Sequence, residues 1–314
     1  MGQVIILFVS WMIIHPAQAV IFGEPTPVQQ VSTGQLIVDQ LKWYGGTNSL
    51  VTQQDECSSV VVGTQPLTII TVAHCLRDAK ITPQTRIPVV KLFLGKPVPA
   101  LRAALYNRFN EVKQNLASDL AVLVFDGDAP EGIHALPVLN SINETSVLLC
   151  GYGRGDSDPN LEQPSCADKK LLSAEDDFYL FVPEIYEQLD PLLHLQFRAQ
   201  FLAKRAMIRS TSALLAVSRV ENDRYQFQLP MPTLGDSGGP WLVKGHNGEQ
   251  GVIAVTSFIE TFYRKNKQWP FFNEHPAPLS DFPYAAYGVR LDTAEAQALF
   301  KRARLEGADI TIMD

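Results

Sequence analysis

The run Gly235-Asp236-Ser237-Gly238-Gly239-Pro240 restricts this chain more than any other stretch. Glycines on both sides of one serine permit backbone angles that a Cβ forbids. The serine hydroxyl is therefore presented at a tight turn, and a substrate carbonyl can come close to the main chain. The amides of Gly235 and Ser237 can then point at one spot, which is the requirement for stabilising an oxyanion. A serine hydroxyl is a weak nucleophile without a base beside it. The turn thus predicts a histidine and a carboxylate elsewhere in the chain.

Both are present. Thr71-Val72-Ala73-His74-Cys75 follows an apolar, β-branched run made of Val60 to Val62 and Ile69 to Val72. Asp119 stands just before another apolar strand, Leu120 to Val124. Alone, each segment has an ordinary reading: a glycine turn, a packed residue at a strand end or half of a metal site, an Asp that starts a strand. Together they run His, Asp, Ser, one of the chain orders in which this constellation occurs. In these three segments the chain resembles the chymotrypsin/trypsin-like serine peptidase family, over about residues 20 to 305 with one large insertion.

The resemblance implies an all-β fold of two antiparallel six-stranded β-barrels, a helical insertion in the second and a C-terminal helix. It implies Ser237 as nucleophile, His74 as general base and acid, Asp119 as the group that orients the imidazole, and the amides of Gly235 and Ser237 as the oxyanion hole. No cofactor is required, and no His, Cys, Asp and Glu cluster has metal-ligand spacing. His134, His194, His246 and His275 are assigned nothing.

Of the 314 residues, 46% are apolar and 19% charged, which suits a globular chain with ample core. The net charge of -7, with its basic residues dispersed, excludes nucleic acid as a partner. The expected partner is a polypeptide substrate, and the expected state a monomer.

Residues 1–19 read as a secretory signal. Val4 to Ile14 is apolar and too short to span a bilayer, and Ala17-Gln18-Ala19 fits a cleavage site. No Lys or Arg precedes the apolar run, and an uncleaved anchor is the alternative. Cleavage yields a secreted or periplasmic domain over residues 20–314, without membrane association. Its new end, Val20-Ile21-Phe22-Gly23, is similar to the hydrophobic N-terminus of active family members, whose freed α-amino group pairs with the Asp before the catalytic serine. Here that residue is Asp236, and signal removal itself would create the active N-terminus.

Short strands are expected at Leu36 to Val38, Lys42 to Tyr44, Ser58 to Val62, Val89 to Leu94, Val98 to Leu105, Val138 to Asn140 and Val147 to Leu149. Many such strands with turns between them argue for a barrel or sandwich. The family pairs cysteines in the places of Cys57 and Cys75, tethering the histidine loop; export makes that disulfide expected. Cys150 and Cys166 flank a polar loop and are expected to pair, at a spacing unusual for trypsin. Cys150-Gly151-Tyr152-Gly153 resembles the family's Gly-aromatic-Gly segment rather than a dinucleotide loop.

The insertion is placed at about 167–203, with helical character over Glu175 to Leu189 and Leu192 to Ala203. It reads either as an exosite or, more simply, as a surface helix packed on the barrel. Strand patterning resumes at Ala206 to Ile208, Leu214 to Val217 and Tyr225 to Leu229. Met231 stands where the resemblance puts the base of the specificity pocket; it offers no charge for Lys or Arg. Ile253 to Ile259 resembles the strand that pairs with substrate, with Ser257 and Phe258 in place and Ile259 where glycine often leaves the pocket open. Gly288 is expected to line the same pocket. A shallow apolar pocket for small or medium aliphatic residues follows. Phe262 to Phe282 is expected as a long loop, and Asp292 with Glu295 as the cap of a helix reaching about Leu305. The competing functions are a catalytically silent binding protein, a latent zymogen and an esterase.

Overall fold

The computed structural model describes residues 20, 23–44, 49–76, 89–91, 98–106, 116–140, 145–153, 163–172, 214–217, 231–244, 248–263 and 281–313. Fifteen strands occur among them: β1 (Glu24–Pro25), β2 (Thr33–Tyr44), β3 (Ser49–Thr64), β4 (Leu67–Thr71), β5 (Val89–Lys91), β6 (Leu101–Tyr106), β7 (Ala121–Phe125), β8 (Val138–Leu139), β9 (Ser146–Gly151), β10 (Ser165–Leu172), β11 (Leu214–Val217), β12 (Pro240–Lys244), β13 (Gln250–Tyr263), β14 (Asp281–Arg290) and β15 (Ile312–Met313). Two helices accompany them, α1 (Val28–Val31) and α2 (Ala294–Leu305).

The first sheet has six strands in the order β5-β2-β3-β4-β7-β6. Within it β4 and β7 are neighbours, and every position of both is buried. Their mainly apolar, β-branched runs, LTIIT and AVLVF, suit strands covered on both faces, and the two buried threonines of β4 place their hydroxyls on the Pro66 and Ser58 carbonyls. The second sheet has nine strands. Six of them pair in a ring, β12-β9-β10-β11-β14-β13, with β13 pairing back onto β12. Strand β1 pairs antiparallel with β10 of that ring, β8 pairs in parallel with β13, and β15 pairs in parallel with β8. The fold is thus all-β in two sheets with a C-terminal helix, as expected.

Details of the expectation change. Leu36 to Val38 and Lys42 to Tyr44 are not separate strands but parts of one twelve-residue β2. Its ladder with β3 runs without a break from Thr33↔Val60 to Tyr44↔Ser49. The polar Asp39 and Gln40 do not interrupt it, because the ladder is made by backbone groups. The chain does not leave the second sheet at residue 167: β10 continues to Leu172, with Asp168 and Lys170 outward and Ala167, Lys169 and Leu171 inward. The expected helices at Glu175 to Leu189 and Leu192 to Ala203 lie outside the described residues, as do residues 1–19, 206–208 and 225–229. The expected loop Phe262 to Phe282 loses both its ends to strands, since β13 and β14 pair as far as Tyr263↔Asp281.

Helix α2 carries Ala296, Leu299, Phe300 and Ala303 on one face, and these join the core of the first sheet. The capping residue is Thr293, not Asp292. The Thr293 side chain accepts from the Ala296 N–H at 3.2 Å, while Asp292 is engaged by the Arg290 guanidinium. Residue 292 lies one position too early to reach that amide. The helix ends in a Schellman arrangement, with the Ala308 N–H on the Ala303 carbonyl and Gly307 at φ +90°.

The chain then turns back as a strap across both sheets. Ala308 and Ile310 are buried in the first core. Asp309 Oδ2 accepts from the Thr64 N–H at 3.2 Å, and the Asp309 N–H donates to Thr68 Oγ1 at 3.1 Å. Its backbone lies where a side chain at Gly63 would stand. Further on, β15 pairs in parallel with β8. Truncation after Gly307 removes one buried isoleucine and several backbone bonds, about 3–5 kcal/mol together. For a domain of this size that is a fall in Tm of roughly 10 °C. A thermal melt followed by circular dichroism checks it, and an unchanged Tm would show the strap to be idle.

Candidate active site

His74 and Asp119 meet because their strands are neighbours. Strands β4 and β7 are antiparallel, and their last pair is Thr71↔Ala121. His74 lies on the short 3-10 turn Ala73–Leu76 just beyond β4. Asp119 lies just before β7, after the turn Leu116–Ser118. The end of one strand and the start of the other therefore share one edge of the sheet.

The Asp119 carboxylate is buried and accepts three hydrogen bonds. The His74 backbone N–H reaches Oδ1 at 2.9 Å. His74 Nδ1 lies 2.8 Å from Oδ2, and the Ser257 hydroxyl donates to Oδ2 at 2.5 Å. A carboxylate only accepts, so Nδ1 carries the proton in this contact. That leaves Nε2 of the neutral ring as a base, on a side chain still 27% exposed. The Ser257 side chain is thus buried against Asp119, a contact separate from the main-chain pairing with substrate expected of its strand.

The serine turn is built on Gly235 at φ +93° and Gly238 at φ +87°. A side chain at Gly238 would run into the Ser58 carbonyl and the Thr71 hydroxyl. The N–H groups of Asp236, Gly238 and Gly239 donate to the carbonyls of Thr233, Thr256 and Asp236. Among the described residues, no acceptor meets the N–H of Gly235 or of Ser237. The Ser237 carbonyl accepts from the Ser58 N–H at 2.7 Å, and Cys75 Sγ lies 3.9 Å from it. The serine backbone is thus held against the residue that follows His74.

Asp236 is fully buried, with Oδ1 on the Gly153 N–H and Oδ2 on the Thr233 N–H, both at 2.7 Å. Burial drives its carboxyl well above the ordinary carboxylate range, and the two amides oppose that only in part. No cation pairs with it among the described residues. A side chain at Gly151 would occupy the place of this carboxylate. Val20, the first residue after the expected cleavage site, is buried in the same cluster as Met231 and Trp241.

Both expected disulfides are formed, Cys57–Cys75 and Cys150–Cys166. The first links β3 to the histidine turn. The second joins directly paired residues of β9 and β10. The donor atoms of Cys57, His74 and Cys75 all lie within 4.8 Å of one another. Two of them are the bonded sulfurs of the disulfide, which cannot serve as thiolate ligands.

The expected pocket residues divide. Met231 is buried in the core of the second sheet, and the space in front of Gly288 is filled by Trp241 and Ala254. Ile259 packs partly buried on the same cluster. Phe258 is 42% exposed and tilts against Tyr287 with ring centroids 5.8 Å apart. Sequence reasoning missed Leu234, 61% exposed beside the turn, and Ser58, buried beneath it. An apolar residue flanking GDSGGP was a readable signal for the first. No local pattern marks the second, because its partners lie about 90 and 180 residues away.

No family model matches the sequence, and no curated protein matches it. Solved structures do. A thermostable serine protease, AL20, from an extremophilic microorganism superposes with a TM-score of 0.51 at 14% identity, covering 88% of this chain and 98% of its own. The HL collagenase superposes with a TM-score of 0.50 at 14% identity, covering 93% of this chain and 100% of its own. With its two sheets and C-terminal helix, the chain has the trypsin-like serine protease fold.

Proposed function

We propose that this chain is an exported serine endopeptidase. The observation that carries the reading is Asp119 buried on His74 Nδ1, at the edge of the sheet from which Cys75 and Ser58 reach the Ser237 carbonyl. In this reading His74 Nε2 takes the proton of Ser237 Oγ as it attacks the peptide carbonyl, then gives it to the leaving amine. Asp119 holds the tautomer and stabilises the imidazolium. The amides of Gly235 and Ser237, which meet no acceptor among the described residues, receive the oxyanion, each worth about 3 kcal/mol. The substrate is a polypeptide, with small or medium apolar residues before the scissile bond, since neither Met231 nor Ile259 offers a charge for Lys or Arg.

The test is fluorophosphonate labelling of the processed protein, with peptide mapping of the adduct, followed by a peptide library. Label on Ser237 and cleavage after aliphatic residues are expected. A folded, processed protein that does not label would sink the reading. Efficient cleavage after Lys or Arg would remove only the pocket assignment, and turnover of esters alone would make it an esterase.

A second reading applies to the uncleaved chain, which we take to be latent. The buried Asp236, with no cationic partner among the described residues, favours it. Cleavage after Ala19 would supply an ammonium at Val20 to pair with this carboxylate. The sign of the pH effect follows from the raised folded-state pKa. In the uncleaved chain the folded state holds this proton more tightly than the unfolded state does. Its stability is therefore greatest below the ordinary Asp pKa of about 3.9 and falls as pH rises from there toward the folded value. An ammonium partner removes that slope. Between pH 4 and pH 7 the uncleaved chain should thus lose Tm relative to the cleaved one; parallel curves, or a mature N-terminus well downstream of Ile21, would overturn this.

A further inference from the structure

Ser58 is a buried polar residue whose every hydrogen-bonding group is committed. It lies in β3 just where β4 has ended: the β3–β4 ladder begins at Val60↔Ile70, and β4 stops at Thr71. Its backbone on that side therefore has no strand to pair with. The Ser58 N–H turns instead to the Ser237 carbonyl at 2.7 Å, and its carbonyl accepts from Thr71 Oγ1 at 2.8 Å. The hydroxyl donates to the Gly235 carbonyl at 2.9 Å and accepts from the Tyr152 N–H at 2.9 Å. One residue of the first sheet thus holds the serine turn at two points and ties it to the Gly-Tyr-Gly segment of the second.

Among the described residues the bond to Gly235 has no substitute. Among the described residues Gly235 makes no other hydrogen bond, since its N–H has no acceptor and its carbonyl has only Ser58. The preceding residue, Leu234, is 61% exposed, so its side chain gives little anchorage. Glycine at φ +93° lacks the Cβ that would otherwise restrict rotation of the two flanking peptides. An amide that must point at a developing oxyanion is useful only if it is held in place before the reaction.

We propose that Ser58 is a positioning residue for the proposed peptidase reaction, its hydroxyl fixing Gly235 so that the Gly235 N–H stays aimed into the oxyanion hole. The inference rests on the peptidase reading. It concerns the side chain alone, since the backbone bonds of residue 58 are open to any residue but proline.

The test is Ser58→Ala, with Ser58→Gly as a second variant that also keeps the backbone bonds. Steady-state kinetics on a peptide substrate and the rate of fluorophosphonate labelling are measured below the Tm of each protein. Removing a whole oxyanion donor costs about 100- to 1000-fold in kcat, so loosening one is expected to cost roughly 10- to 100-fold. KM should stay within about threefold, because ground-state binding does not use this amide. Labelling should slow in parallel with kcat, whereas general damage to the fold would raise KM as well. If either folded variant keeps wild-type kcat, or loses only in KM, the proposal is overturned while the peptidase reading stands. An inert wild type would overturn the peptidase reading itself.

Discussion

Ser237→Ala is expected to abolish fluorophosphonate labelling and to lower kcat on a peptide substrate by about 10⁶-fold, with KM nearly unchanged. The size follows from the division of labour. Without Oγ there is nothing for His74 to deprotonate, so base and orienting carboxylate become idle together. What remains is the stabilisation offered by the amides of Gly235 and Ser237, roughly 10³- to 10⁴-fold over the reaction in water. The substitution should leave the fold intact. Ser237 is held by its carbonyl, through the Ser58 N–H, and the turn by Asp236, and neither bond uses the hydroxyl. A Ser237→Ala protein that retained more than a thousandth of wild-type kcat would place the nucleophile elsewhere.

Asp119→Asn is expected to cost about 10⁴-fold in kcat at neutral pH, again with a folded protein. The carboxylate accepts from the His74 N–H on one oxygen and from both His74 Nδ1 and the Ser257 hydroxyl on the other. An amide can replace only one of these oxygens. If its NH2 faces the ring, it donates to Nδ1, and the proton of the neutral imidazole moves to Nε2. The base is then blocked at the atom that must accept the serine proton. If its NH2 instead faces the His74 backbone, two donors oppose each other in a buried place, a cost of about 1–3 kcal/mol. The first arrangement is the cheaper and the inactive one. Comparing kcat for Asp119→Asn and Asp119→Ala separates tautomer from charge: an asparagine variant close to wild type would remove Asp119 from the mechanism.

The elements legible in advance were those in which local chemistry and global role coincide. The apolar, β-branched runs of β4 and β7 could be read because a strand buried on both faces is predominantly apolar. The turn at Gly235 to Pro240 could be read because positive φ calls for glycine, and Gly235 and Gly238 do adopt it. The disulfide of Cys57 with Cys75 followed from the resemblance and from the export it led one to expect. Boundaries were less legible. Strand β2 continues through Asp39 and Gln40 because pairing partners, not side chains, set its length. The helix cap fell to Thr293 because one residue of offset decides whether an oxygen reaches an amide.

The sequence alone determined the chemical parts and their order: a histidine, an acid and a serine, each beside a strand or turn that could present it. Which groups those parts touch was decided only by the tertiary structure. Strands β4 and β7 had to be neighbours, in the register Thr71↔Ala121, before His74 and Asp119 could share a bond. The second sheet had to bring Ser257 onto Asp119 from 138 residues away, and the first had to bring Ser58 beneath Gly235 from 177 residues away. Contacts across such separations leave no periodicity in the chain, because periodicity reports only the face that a residue shows within its own strand or helix.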